Sequence, residues 1–194
     1  MTILDSILDY NQTFVENKEY ESYQTTKYPN KKLVILTCMD TRLVDLLHNA
    51  MNLKNGDAKI IRNAGAVISH PFGSIMRSIL VAIYELQAEE IMIIGHHGCG
   101  MVGLEPSSIL EKAEARGIDM DVIKTIEYSG IDINNFLTGF TKVEDNVSHS
   151  VDMVRNHPLL PKNTPVHGLV VSPETGKLDL IINGYDAEEM ARNN

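Results

Sequence analysis

The sequence predicts an α/β fold: a mostly parallel central sheet flanked by helices, closed by a C-terminal hairpin that adds one antiparallel edge strand. Three observations predict it. Short apolar runs bounded by turn signals recur at residues 33–37, 58–61 and 91–94. Stretches of helical periodicity separate or follow them. The last two extended runs, 166–171 and 178–182, are joined by Pro173-Glu174-Thr175-Gly176, a hairpin signature. Strands alternating with helices imply parallel crossovers, and a terminal hairpin implies one antiparallel pairing.

Taken in order, residues 2–16 read as an amphipathic helix with Ile3, Ile7, Leu8 and Phe14 near one face. The polar stretch 17–32, with Tyr20, Tyr23 and Tyr28 scattered through it, reads as an irregular connection, so residues 1–30 form an N-terminal helical arm. Leu33 to Thr37 suits a strand buried on both faces. Asn55-Gly56-Asp57 marks a turn before Ala58 to Ile61. Ile75, Ile79, Ile83 and Leu86 fall on one face of a strong helix that precedes the strand Ile91 to Ile94. Ser108 with Glu111, and Thr141 with Glu144, fit capping boxes. The first opens a helix through about Arg116, and the second opens one that aligns Val147, Val151 and Val154. No repeat or linker divides residues 1–194, and a single domain is expected.

Charge narrows the partners. Seventeen Lys and Arg stand against 26 Asp and Glu, a net charge of −9 with a pI near 5.2. Such a balance disfavours nucleic acid and anionic membranes as partners. No apolar run approaches the roughly 20 residues of a membrane helix. Asp5 and Asp9 stand where a signal peptide would be basic, so a cytoplasmic protein is expected. In a reducing compartment, cysteines serve as metal ligands or catalytic groups more often than as disulfides.

The chain has two cysteines, and both follow predicted strands. After Thr37 comes Cys38-Met39-Asp40-Thr41-Arg42; after Ile94 comes Gly95-His96-His97-Gly98-Cys99-Gly100. The carboxyl ends of parallel strands are where such sheets gather their chemistry. Two thiolates and an imidazole suit tetrahedral zinc, and three protein ligands leave one position open, as in catalytic sites. A further histidine could instead complete a four-ligand structural site. Zinc with two thiolates is formally neutral, so a nearby hydrogen-bond acceptor would help to activate its water. Asp40 is placed to do this, and Arg42 to hold Asp40 ionised and aimed through a bidentate pair. His97 is the competing imidazole beside His96. His48, His70, His149, His157 and His167 have no partner motif and read as solvated or capping. Gly98 to Gly103 also spells G-x-G-x-x-G. A nucleotide-binding reading is disfavoured because the pattern follows the third strand and Pro106 delays the next helix.

The paired motifs C-x-D-x-R and H-x-x-C resemble those of the β-class carbonic anhydrases. Gly56-Asp57, Arg62-Asn63-Ala64-Gly65 and the helix from Phe72 match that family in order and approximate spacing, over roughly residues 31–104. The resemblance implies zinc held by Cys38, His96 and Cys99, with Asp40 and Arg42 as a catalytic dyad and Asp40 as a conditional fourth ligand. It implies reversible hydration of carbon dioxide to bicarbonate and a proton, by attack of hydroxide formed on zinc. It also implies a homodimer or homotetramer, in which residues 2–16 wrap the partner. Two positions depart from plant-type members: Pro29 stands where they carry glutamine, and Lys59 where they carry phenylalanine. Carbonyl sulfide or carbon disulfide hydrolysis at the same site is the alternative activity. A family member that keeps zinc without turnover is the other.

Overall fold

The computed structural model describes residues 1–186. Five strands lie in one sheet: β1 (Leu33–Cys38), β2 (Ala58–Asn63), β3 (Glu90–His96), β4 (Val166–Val171) and β5 (Leu178–Ile182). Their spatial order is β2-β1-β3-β4-β5, and only the β4–β5 pair is antiparallel. The register pairs Cys38 with Asn63, Thr37 with Ile94, and His96 with Val171. The carboxyl ends of β1, β2 and β3 are therefore level with one another. The predicted fold class stands.

Every residue of β1 is buried, as its unbroken apolar run requires. Val34 and Leu36 face one core with Met76, Ile79, Val147 and Val151. Leu33 and Ile35 face the other, with Leu43 and Leu47. Those two leucines belong to α2 (Leu43–Ala50), a helix that the sequence reading did not assign.

Helix α1 (Ile3–Glu16) opens with a capping box of its own. Asp5 N–H donates to Thr2 Oγ1 at 3.1 Å, and Thr2 N–H donates to Asp5 Oδ2 at 2.8 Å. A 3-10 turn at Glu19–Tyr23 follows, and Phe14 meets Tyr23 with ring centroids 6.2 Å apart. Ile3, Leu4, Ile7 and Leu8 are each more than half exposed, so the predicted apolar face exists but no other described element covers it.

Helix α3 (Ser74–Tyr84) buries Met76, Ile79 and Ala82 rather than the expected stripe. Ile75 and Ile83 flank that face, and Leu86 lies beyond the helix end. Both predicted capping boxes are corrected. Helix α4 (Pro106–Glu114) starts two residues before Ser108, since proline at the first helical position needs no N–H partner. Its N-cap is Glu105, without a side-chain cap bond. Between it and the next predicted helix lie two that the reading missed. Helix α5 (Met120–Tyr128) is capped by Asp119 and α6 (Ile133–Leu137) by Asp132. Helix α7 (Val143–Arg155) has Lys142 as its N-cap and again no side-chain cap bond.

Helix α7 buries Val143, Val147, Val151 and Val154 against β3 and β4. Gly95 permits that approach: a Cβ there would stand 2.5 Å from Val143 Cγ2 and 2.9 Å from Val147 Cγ2. Gly95→Ala should therefore overpack the joint, costing about 1–3 kcal/mol. Thermal unfolding would show this as a midpoint lower by roughly 2–4 °C per kcal/mol; an unchanged midpoint would mean that the helix is not seated on this glycine.

Candidate metal centre

Cys38 is the last residue of β1 and His96 the last of β3, so the parallel register delivers both to one end of the sheet. Cys99 follows on the glycine loop, where Gly98 turns the chain at φ +63°. All three side chains are buried, and their ligand atoms lie within 4.8 Å of one another. The two Sγ atoms are 4.0 Å apart, and both cysteines are free.

Whether this set fits a metal turns on His96. Its Nδ1 is 2.9 Å from the His97 carbonyl oxygen, which makes Nδ1 the protonated nitrogen. Nε2 then presents a bare lone pair, and it is fully buried without a hydrogen-bond partner. A buried acceptor left unmatched beside two thiols is what a soft-to-borderline cation would satisfy. The residues fit zinc.

The electrostatics favour deprotonation at Cys38 alone of the three. Burial pushes the Cys38 thiol up, but the adjacent His96 imidazole, the Gly65 N–H and the Asp40 N–H outweigh it and bring Cys38 to about 7. The Cys38 interaction in turn raises His96. Burial and the adjacent Cys38 raise the Cys99 thiol. A cation arriving here would displace these protons.

Asp40 and Arg42 lie at the rim. Arg42 donates from Nε to Asp40 Oδ1 at 3.0 Å and from Nη2 to Oδ2 at 2.7 Å, and its backbone N–H donates to Oδ1 at 2.9 Å. Arg42 Nη2 also reaches the Gly98 carbonyl at 3.3 Å, tying the first motif to the second. The guanidinium holds the Asp40 carboxyl well below the usual carboxylate range. Asp40 Oδ2 stands 3.7 Å from His96 Nε2, close enough to turn toward the same ion.

Above these groups opens a cavity of about 550 Å³, walled by the side chains of Met39, Ala64 and Met101 as well as by the motif residues. Pro29 and Lys59 do not line it. Of the other histidines, His97 is half-exposed, with Nε2 3.8 Å from Asp179. His157 and His167 are buried rather than solvated, and each accepts a backbone N–H at Nδ1, from Leu159 and Gly184.

Two features of the centre escaped the sequence reading. Gly65 N–H donates to Cys38 Sγ at 3.4 Å, and Asn63 closes the loop around it by bonding both the carbonyl and the N–H of Val67. Asn146, on α7, donates to the Gly65 carbonyl at 3.0 Å. A polar residue amid a valine stripe was the available signal for Asn146.

Comparison with known proteins agrees with this geometry. A family profile described as carbonic anhydrase matches residues 33–178. The chain belongs to the β-carbonic anhydrase family. It is 65% identical to "Putative carbonic anhydrase YvdA" of Bacillus subtilis (strain 168) over 97% of this chain and 95% of that one. The crystal structure of β-carbonic anhydrase isoform I from Trichomonas vaginalis superposes with a TM-score of 0.87 at 39% identity, covering 95% of this chain and all of that one. A carbon disulfide hydrolase from Acidithiobacillus thiooxidans is 29% identical over 77% of this chain and 76% of its own length. No described helix is long and apolar enough to cross a membrane.

Proposed function

We propose that this protein is a zinc enzyme that reversibly hydrates carbon dioxide to bicarbonate and a proton. The observation that carries the reading is the bare, buried Nε2 of His96 between two thiols, with an arginine-held carboxylate 3.7 Å away. Cys38, His96 and Cys99 hold the zinc. When bound, zinc supplies a Lewis-acidic centre that acidifies a coordinated water toward a pKa of ~7. Asp40, ionised throughout the physiological range, accepts a hydrogen bond at the open position and orients the donor there. Arg42 keeps Asp40 aimed at that donor and away from the ligand cluster, where it would be a fourth ligand. Met39, Ala64 and Met101 give the cavity apolar walls suited to a small linear molecule without hydrogen-bond donors.

Those walls suit carbon disulfide and carbonyl sulfide as well, and a relative named carbon disulfide hydrolase keeps that reading open. The Asp40–Arg42 pair favours an active enzyme over a metal-bearing relative without turnover, because a purely structural site has no use for it. The uncovered face of α1 supports assembly into a homodimer or homotetramer, with α1 laid on the partner. Free thiols in the ligand set suit a reducing cytoplasm.

Stopped-flow carbon dioxide hydration and sulfide release from carbon disulfide, measured on one zinc-quantified preparation, separate the activities. Rapid hydration with little sulfide release is expected. Full zinc occupancy with sulfide release alone would reassign the substrate, and activity with neither would leave a metal protein without this chemistry.

A further inference from the structure

Cys38 does not stand alone against the metal position: its sulfur accepts the Gly65 N–H at 3.4 Å. That glycine has φ +77°, and a Cβ there would meet Phe140 Cε1 at 2.8 Å and Met101 Cγ at 3.0 Å. No side chain can grow from this position to brace it, so further bracing comes from another element. Helix α7 supplies it. Asn146 Nδ2 donates to the Gly65 carbonyl at 3.0 Å, and one turn later Ser150 Oγ accepts the Ile68 N–H at 3.4 Å. Both residues are buried within the valine face, where polar groups are costly unless bonded. Their bonds go to one segment, 65–68. The same helix presses Val143 and Val147 onto Gly95, the residue before His96. Helix α7 thus braces at once the loop that bonds Cys38 and the strand end that carries His96.

We propose that Asn146 is a positioning residue for the metal centre: by fixing Gly65 it holds the N–H···S hydrogen bond on Cys38 and so sets how strongly that sulfur donates to the metal. The proposal rests on the reading that Cys38, His96 and Cys99 bind zinc. A hydrogen bond draws electron density from a thiolate, which leaves the metal the stronger Lewis acid. Outer partners of this kind also hold the ligand in place for binding, and their loss typically weakens metal affinity by roughly 10–100-fold.

The test is the cobalt(II)-substituted protein, whose thiolate-to-cobalt charge-transfer absorption reports sulfur donation directly. Asn146→Leu keeps the branched four-atom shape, with somewhat more bulk, and removes the donor. Its charge-transfer band should move to longer wavelength, and a competing chelator should strip the metal about tenfold faster. The alkaline limb of carbon dioxide hydration should rise in pH. Ser150→Ala removes the neighbouring brace without touching Gly65, and its band should stay where the unsubstituted protein has it. Asn146→Ala, which cannot overpack, gives the same reading if the leucine variant fails to fold. An unchanged band and stripping rate in a cobalt-loaded Asn146 variant would overturn the proposal, as would an equal shift in Ser150→Ala. If the unsubstituted protein took up no cobalt with sulfur ligation, the metal assignment beneath the proposal would fall instead.

Discussion

Cys99→Ser should empty the metal site and abolish carbon dioxide hydration. The loss should exceed the roughly 10–100-fold that removal of an outer hydrogen-bond partner produces, because a ligand itself is gone. The hydroxyl of serine is a harder donor, is closer to the peptide and does not ionise near neutral pH. Cys99 is buried, with its sulfur 4.0 Å from Cys38 Sγ, so no outside group can easily replace it. With one thiolate missing, the set falls to one sulfur and one imidazole, too few to retain zinc against a chelator. Zinc analysis of the purified variant, paired with stopped-flow hydration, checks both halves. Full zinc and full turnover in Cys99→Ser would remove Cys99 from the ligand set. Should the variant keep its fold while losing both, the metal would be shown to serve chemistry rather than folding.

Arg42→Ala should keep the zinc and lose the activity. In the intact protein two guanidinium bonds and one backbone bond pin Asp40. The variant retains only the backbone bond to Oδ1, leaving Oδ2 free to turn toward the ligand cluster 3.7 Å from its present position beside His96 Nε2. A carboxylate bound there would close the open position. A drop of about 100-fold in turnover, roughly 2.7 kcal/mol of transition-state stabilisation, is expected with zinc content unchanged. The acid dependence also has a definite sign. Arg42 depresses the Asp40 pKa, so the pair's contribution is complete above the ordinary carboxylate value of ~4 and disappears only as the pH falls through the depressed one. Removing Arg42 should therefore move acid loss of Asp40 function toward higher pH. Turnover that survived Arg42→Ala would show that Asp40 is held by other means.

How much of this was legible beforehand depended on whether the signal was local. The five strands could be read because each is a short apolar run with a turn beside it, and burial on both faces is written into every residue of β1. Helix α2 was not assigned because the motif Cys38 to Arg42 directly before it drew the reading, although Leu43 and Leu47 repeat at helical spacing. Helices α5 and α6 contribute no buried residue to the core; α6 is only five residues long, whereas α5 carries Val122, Ile123 and Ile126 at helical spacing, and each has a capping aspartate, Asp119 or Asp132, that was the available signal. The two capping boxes failed for a physical reason. Pro106 starts α4 ahead of Ser108, and α7 begins on the buried Val143, so packing chose the start over side-chain capping. In the site, Cys38, His96 and Cys99 could be named because the metal demands particular atoms at particular spacings. Gly65 and Asn146 meet through a backbone carbonyl and a side-chain amide 81 positions apart, a juxtaposition that only the folded chain displays.

The central claim is the ligand set, and X-ray absorption at the zinc edge of the purified protein tests it most directly. Two sulfurs near 2.3 Å and one nitrogen near 2.0–2.1 Å, with one further light atom, are expected in the unsubstituted protein, and no bound zinc in Cys99→Ser. A zinc shell of nitrogen and oxygen alone, or a Cys99→Ser protein that keeps zinc with two sulfurs, would contradict the account.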